Sequence, residues 1–89
     1  MGGKTVAAAV PPAVLVGLRE AFAHEVEQRL PHLIELADLE AARRDAHTLA
    51  SSAWVVGEPD IARLARTVES SLPDGPVAEL VVLLQGYRP

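Results

Sequence analysis

Six apolar residues set narrow limits on how this chain can fold. Leu39, Ala42, Ala46, Leu49, Ala53 and Val56 follow one another at steps of 3, 4, 3, 4 and 3. That spacing draws a single thin apolar seam along a helix, of the coiled-coil kind, and is unlike the alternation of a strand. Asp38 in front of the seam is a good N-cap, and Gly57 behind it can take the left-handed cap conformation. The spacing therefore predicts a helix over residues 39–56. Its alanines leave room for a neighbouring helix to come close.

The flanking sequence supplies the neighbours. Leu15, Leu18, Phe22, Val26, Leu30, Leu33 and Ala37 also recur at three- and four-residue steps, and Pro11 and Pro12 suit the first turn of a helix. Pro31 interrupts this pattern, so two helical pieces or one bent helix are expected over residues 12–37. After Gly57, Glu58-Pro59-Asp60 opens a further helix with Ile61, Leu64, Ala65, Val68 and Leu72 on its apolar side. Pro73-Asp74-Gly75 is a turn, and an apolar helix follows from Val77 to Leu84. Connections this short make neighbours antiparallel. The expected fold is all-α, an antiparallel up-down four-helix bundle with or without a short extra N-terminal helix. Residues 1–10 read as a flexible lead-in and residues 11–89 as one bundle domain.

Composition removes several function classes. With 89 residues the chain holds one small domain, and Phe22, Trp54 and Tyr87 are its only aromatic residues. A core of Leu, Val and Ala leaves little volume for a buried cofactor. There is no Cys, which rules out disulfides, thiolate metal sites and Cys nucleophiles and fits a reducing cytoplasm. Twelve acidic residues against eight basic ones argue against nucleic acid as a partner, because phosphate contacts need a basic stripe. No apolar run reaches the roughly 20 residues of a membrane span. Thr5 to Val16 is apolar and follows Lys4, but Pro11-Pro12 breaks it and no cleavage site follows, so a signal peptide is not expected.

One histidine stands apart. His47 lies roughly 130° from the centre of its own helix's seam, so its ring is expected in solvent. Glu40, Arg43, Arg44, Ala50, Ser51 and Trp54 share that face. An exposed imidazole offers a neutral, nucleophilic nitrogen near neutral pH. Arg43 and Arg44, one turn before it, could hold the oxygens of a phosphoryl group. Ala50 and Ser51, one turn after it, leave space for another protein to close over the ring, and an exposed Trp54 would be a docking anchor. Exposed helix histidines are commonly plain solvated side chains, and spacing alone goes no further than a helical bundle.

The segment Asp45-Ala46-His47-Thr48-Leu49-Ala50-Ser51-Ser52-Ala53 through Gly57 resembles the signature of histidine phosphotransfer (HPt) domains. That pattern runs Ala-His-x-Leu-Lys-Gly-Ser-Ala, then three variable or apolar residues, then Gly. Asp38-Leu39-Glu40 sits where the family opens its phosphorylated helix, and Ile61-Ala62-Arg63-Leu64 with Val68-Glu69 is similar to the helix that follows. Phe22 and the stretch from Glu25 to Leu33 fit the preceding helix more loosely. This chain departs from the pattern in having Ala50 where the family has Lys and Ser51 where it has Gly.

The resemblance implies a phosphoryl carrier in a two-component phosphorelay. His47 would be the acceptor, Arg43, Arg44 and Ser51 would support the phosphate, and Ala50 and Trp54 would help dock the partner. The partner would be a response-regulator receiver domain, a histidine kinase, or both, and the receiver would bring the Mg²⁺. No cofactor, resident metal, nucleic acid or membrane is implied, and the protein would be a cytoplasmic carrier more than an enzyme. The alternative is a degenerate bundle that docks a receiver or kinase, or dimerises, without carrying phosphate. A third reading is a structural bundle in which His47 has no role.

Other sites are weaker. Gln28 stands where a zinc-protease motif begun at His24-Glu25 would need its second His, and His32 is eight residues from His24. Gly2-Gly3-Lys4-Thr5 ends like a P-loop but lacks its first Gly, its spacing and its strand. Ser51 and Ser52 have no oxyanion hole or orienting acid for a hydrolase triad. Asp45, two residues from His47, points to a different face.

Overall fold

A computed structural model describes residues 10–89, and the lead-in, Val10 apart, lies outside the described residues together with the Gly2 to Thr5 stretch. Four helices follow in order: α1 (Pro12–Glu35), α2 (Leu39–Val55), α3 (Pro59–Ser71) and α4 (Val77–Gln85). The described residues contain no strand and no extra N-terminal helix. The fold is the expected up-down bundle. α2 and α3 share the most extensive interface, and α1 packs on α2 and α4 while α3 packs on α4. Each helix thus touches the next, and α4 returns to close the ring on α1.

The ends obey local chemistry. Asp38 caps α2, its Oδ1 accepting from the Ala41 N–H at 3.1 Å. At the other end Gly57 has φ 79°. The Gly57 N–H donates to the Trp54 carbonyl at 3.3 Å and the Glu58 N–H to the Ala53 carbonyl at 2.8 Å. These two bonds make a Schellman cap. Pro12 and Pro59 each stand in the first turn of a helix, where the missing N–H costs nothing.

α1 is one helix through Pro31, which settles the choice between two pieces and one. Pro31 deprives only the Glu27 carbonyl of its usual donor, and the helix ends within two turns at Leu36, whose φ of 51° is left-handed. Ala37, expected on the apolar side, lies beyond that end and is exposed.

The core is built from Phe22, Val26 and Leu33 of α1, the α2 seam, Ile61, Ala65 and Val68 of α3, and Leu80 and Leu84 of α4. Three expectations about α2 need correction. Leu39 is 36% exposed, because as the first residue of the helix it lies at the rim of the bundle. Ala50, placed by its angle on the histidine's exposed face, is only 1% exposed. Ala62 and Ala65 of α3 are fully buried, and packing between such small side chains brings the helices close enough to widen the buried arc past the seam. Trp54 lies on the same flank as Ala50 and is half-buried against the core, not free in solvent.

After α4 the chain folds back on α1. The Tyr87 ring meets Phe22 edge to face, with centroids 4.9 Å apart and planes at 88°. Burial, and then the negative charge of Glu58, push the Tyr87 phenol above its ordinary value of 10.0, with Arg19 opposing them.

Three outcomes follow from this packing. Leu49→Ala, at a fully buried mid-seam position, should cost about 2–5 kcal/mol, whereas His47→Gln should stay within about 0.5 kcal/mol; denaturant melts of both variants compare them directly. Ala50→Lys, which forces a long charged chain between α2 and α3, should cost about 1–3 kcal/mol in the same melts. The folded state raises the Tyr87 value, so the stability it contributes is complete below 10.0 and is lost as pH rises through the higher folded value. The loss of melting temperature above pH 10 should therefore be smaller in Tyr87→Phe than in the wild type.

Candidate functional site

The face of α2 that carries His47 lies beside α3. The His47 side chain is 66% exposed, as its angle from the seam predicted. Its Nδ1 lies 2.9 Å from Oε2 of Glu69, on α3. An ionised carboxylate can only accept, so Nδ1 carries the hydrogen and donates to Glu69. In the neutral ring this leaves the lone pair on Nε2. Glu69 thus fixes both the tautomer and the orientation of the imidazole. The sequence placed Glu69 at the end of the following helix but gave it no part in the site. Its position after the buried Val68 was the available signal.

A surface depression of about 330 Å³ surrounds the ring, lined by Glu40, Arg43, Arg44, His47, Thr48 and Glu69. Both expected cations are in it. Arg43 is held, its Nη1 donating to Glu40 Oε1 at 3.0 Å and its Nε to the Glu69 carbonyl at 3.4 Å. Arg44 is exposed and enters no ion pair among the described residues. Side chains on a helix lean toward its N-terminus, so the His47 ring leans over the turn that carries these two arginines. Ser51 is exposed, and its hydroxyl donates to the His47 carbonyl at 3.4 Å. Trp54 does not line the depression, and neither does Ala50.

The opposite flank of α2 holds a second polar cluster. Asp45 points away from His47, as expected, but onto α1 and not into solvent, and is only 6% exposed. Its Oδ1 accepts from Arg29 Nη1 at 2.6 Å, and its Oδ2 meets His32 Nδ1. Arg29 Nε in turn lies 3.6 Å from Glu25 Oε1, and the Ser52 hydroxyl donates to the same carboxylate at 3.2 Å. His32 is half-exposed and tied to α2 through Asp45. Among the described residues no group of three or more His, Asp or Glu is placed to hold a metal ion. Nor is any of their helices long and apolar enough to cross a membrane.

The site therefore consists of an exposed histidine held at one nitrogen by a carboxylate from the next helix, with two arginines lining the same depression. No curated protein and no solved structure matches the chain. The family model for the Hpt domain matches residues 17–86, a span that takes in most of α1, all of α2, α3 and α4, and every residue of the depression. The chain belongs to the Hpt domain family.

Proposed function

We propose that the protein is a phosphoryl carrier of a two-component phosphorelay, with Nε2 of His47 as the accepting atom. The observation that carries the reading is the His47–Glu69 pair at 2.9 Å, set in a chain that matches the Hpt domain family. With Nδ1 donating to Glu69, the neutral ring carries its lone pair on Nε2, as a nucleophile needs. In the accepting step, Nε2 attacks the phosphorus of a receiver's aspartyl phosphate. The P–N bond forms, the P–O bond breaks, and the receiver's carboxylate leaves. The Nδ1 hydrogen stays on the ring, where Glu69 balances the positive charge that develops. Transfer to a second receiver, or back, reverses these events.

Arg43 and Arg44 would neutralise the phosphoryl oxygens from the turn beneath the ring, with the Ser51 hydroxyl beside them. The receiver, or a histidine kinase acting as donor, supplies the remaining catalytic groups, and the receiver supplies the Mg²⁺. On this reading the protein needs no cofactor of its own and works in the cytoplasm as a carrier, not as a self-sufficient catalyst. The half-buried Trp54 offers a rigid edge for the partner, while Ala50, in the core, can serve docking only by keeping α3 in place.

One observation favours the alternative of a docking module that carries no phosphate. The position three residues after His47, where the family pattern has Lys, is Ala50, and it is buried. Incubation with a phosphorylated receiver, followed by intact mass, separates the two. A carrier should gain one acid-labile phosphate, which His47→Gln abolishes and Glu69→Gln slows by about 10-fold or more, the scale of a hydrogen bond to a charged group. If a receiver binds and no mass is gained, the docking module replaces the carrier, and Trp54→Ala should then weaken that binding.

A further inference from the structure

Arg43 is already occupied. Its Nη1 donates to Glu40 at 3.0 Å and its Nε to the Glu69 carbonyl at 3.4 Å, and all three residues line the depression around His47. Glu40 stands three residues before Arg43, one turn farther from the histidine, and its side chain is 82% exposed. An exposed carboxylate in this position has no packing role. It pairs with the guanidinium, and the main-chain contact to Glu69 keeps that guanidinium on the α3 side of the helix.

We infer that Glu40 is a built-in competitor for Arg43 and sets how long a phosphoryl group stays on His47. The inference rests on the carrier reading and adds a regulating residue to it. Before phosphorylation, Glu40 satisfies Arg43. A phosphoryl group on Nε2 carries more negative charge than a carboxylate and lies over the same turn, so Arg43 exchanges one anion for the other. Each departure of Arg43 back to Glu40 leaves the phosphoryl group with less neutralising charge. Loss then follows: water attacks phosphorus, the P–N bond breaks, inorganic phosphate leaves, and Nε2 recovers its lone pair. Glu40 thereby limits how long the phosphoryl group persists when no receiver takes it.

The size of the effect is bounded. An exposed ion pair shifts an equilibrium by about fivefold at most. Removing the competitor should therefore lengthen the phosphohistidine lifetime by about two- to fivefold.

The test uses the full chain, phosphorylated with phosphoramidate so that no partner is needed, and follows the decay of the added mass with time. Glu40→Gln should show the longer lifetime, and Arg43→Ala a shorter one. The deciding variant is Glu40→Gln in the Arg43→Ala background, which should decay like Arg43→Ala alone. Asp60→Asn is the control for net charge, since it opens a similar exposed pair, Asp60 with Arg63 at 2.6 Å, and it should decay like the wild type. If Glu40→Gln lengthens the lifetime equally with and without Arg43, Glu40 acts by plain repulsion and the inference is overturned. An unchanged lifetime in Glu40→Gln overturns it as well, while leaving the carrier reading in place. A wild type that takes up no phosphate on His47 from phosphoramidate or from a phosphorylated receiver that binds it removes the carrier reading, and the inference with it.

Discussion

The close approach of α2 and α3 through small side chains governs the geometry of the site. Ala46, Ala50 and Ala53 on one helix and Ala62 and Ala65 on the other are all buried, and none extends past its Cβ. Because the axes can come near, a glutamate on α3 reaches the imidazole of a histidine on α2, 22 residues away in sequence, at hydrogen-bond distance. The same approach lets the guanidinium of Arg43 touch the α3 main chain at Glu69. Larger residues along this interface would part the helices before they cost much apolar burial. What would be lost first is the carboxylate's hold on the ring, and with it the choice of which nitrogen faces outward.

The opposite flank of α2 is fixed by a different kind of contact. Asp45 is buried and meets both Arg29 and His32 of α1, and Ser52 is linked to the same network through Glu25. A buried ion pair of this sort adds little net stability compared with apolar residues of the same size. Its consequence is register. Only one axial placement of α1 along α2 brings Arg29 and His32 to the two oxygens of one carboxylate. α2 is thereby held on both sides, by alanine packing against α3 and by a polar clamp against α1. His47 stands on the strip between them that neither neighbour covers.

Much of this was legible in the sequence, because helix periodicity and end signals act locally. The seam of α2, the Asp38 cap, Gly57 behind the helix and the prolines at Pro12 and Pro59 each act within a turn or two of where they stand. The exposure of His47 followed from its angle alone. The angle failed for Ala50 and Trp54, since it measures direction from a helix's own seam and is blind to how near the next helix comes. Leu39 failed for a related reason: periodicity does not show where the bundle stops. The partners of Asp45 and His47 were out of reach for sequence reasoning, because pairs 13, 16 and 22 residues apart depend on the relative placement of whole helices. Asp45 did carry a signal, a charged residue close to the seam, which calls for a partner if it is buried.

The departure at position 50 and the two arginines before His47 are two sides of one constraint. A lysine three residues after the histidine needs a stem that can leave the helix surface, which requires α3 to stand back from that flank. Here α3 is packed on it and Ala50 is core, so the interface that brings Glu69 to the imidazole also closes the path a lysine would take. The positive charge that lines the depression comes instead from the turn before the histidine, toward which helix side chains lean in any case. Arg43 and Arg44 occupy that turn. Restoring lysine at position 50 alone would add a cation at the expense of the contact that orients the ring. The buried alanine and the arginines that precede His47 are thus best read as one arrangement, in which the fold gives up one cation site and the sequence provides another a turn away.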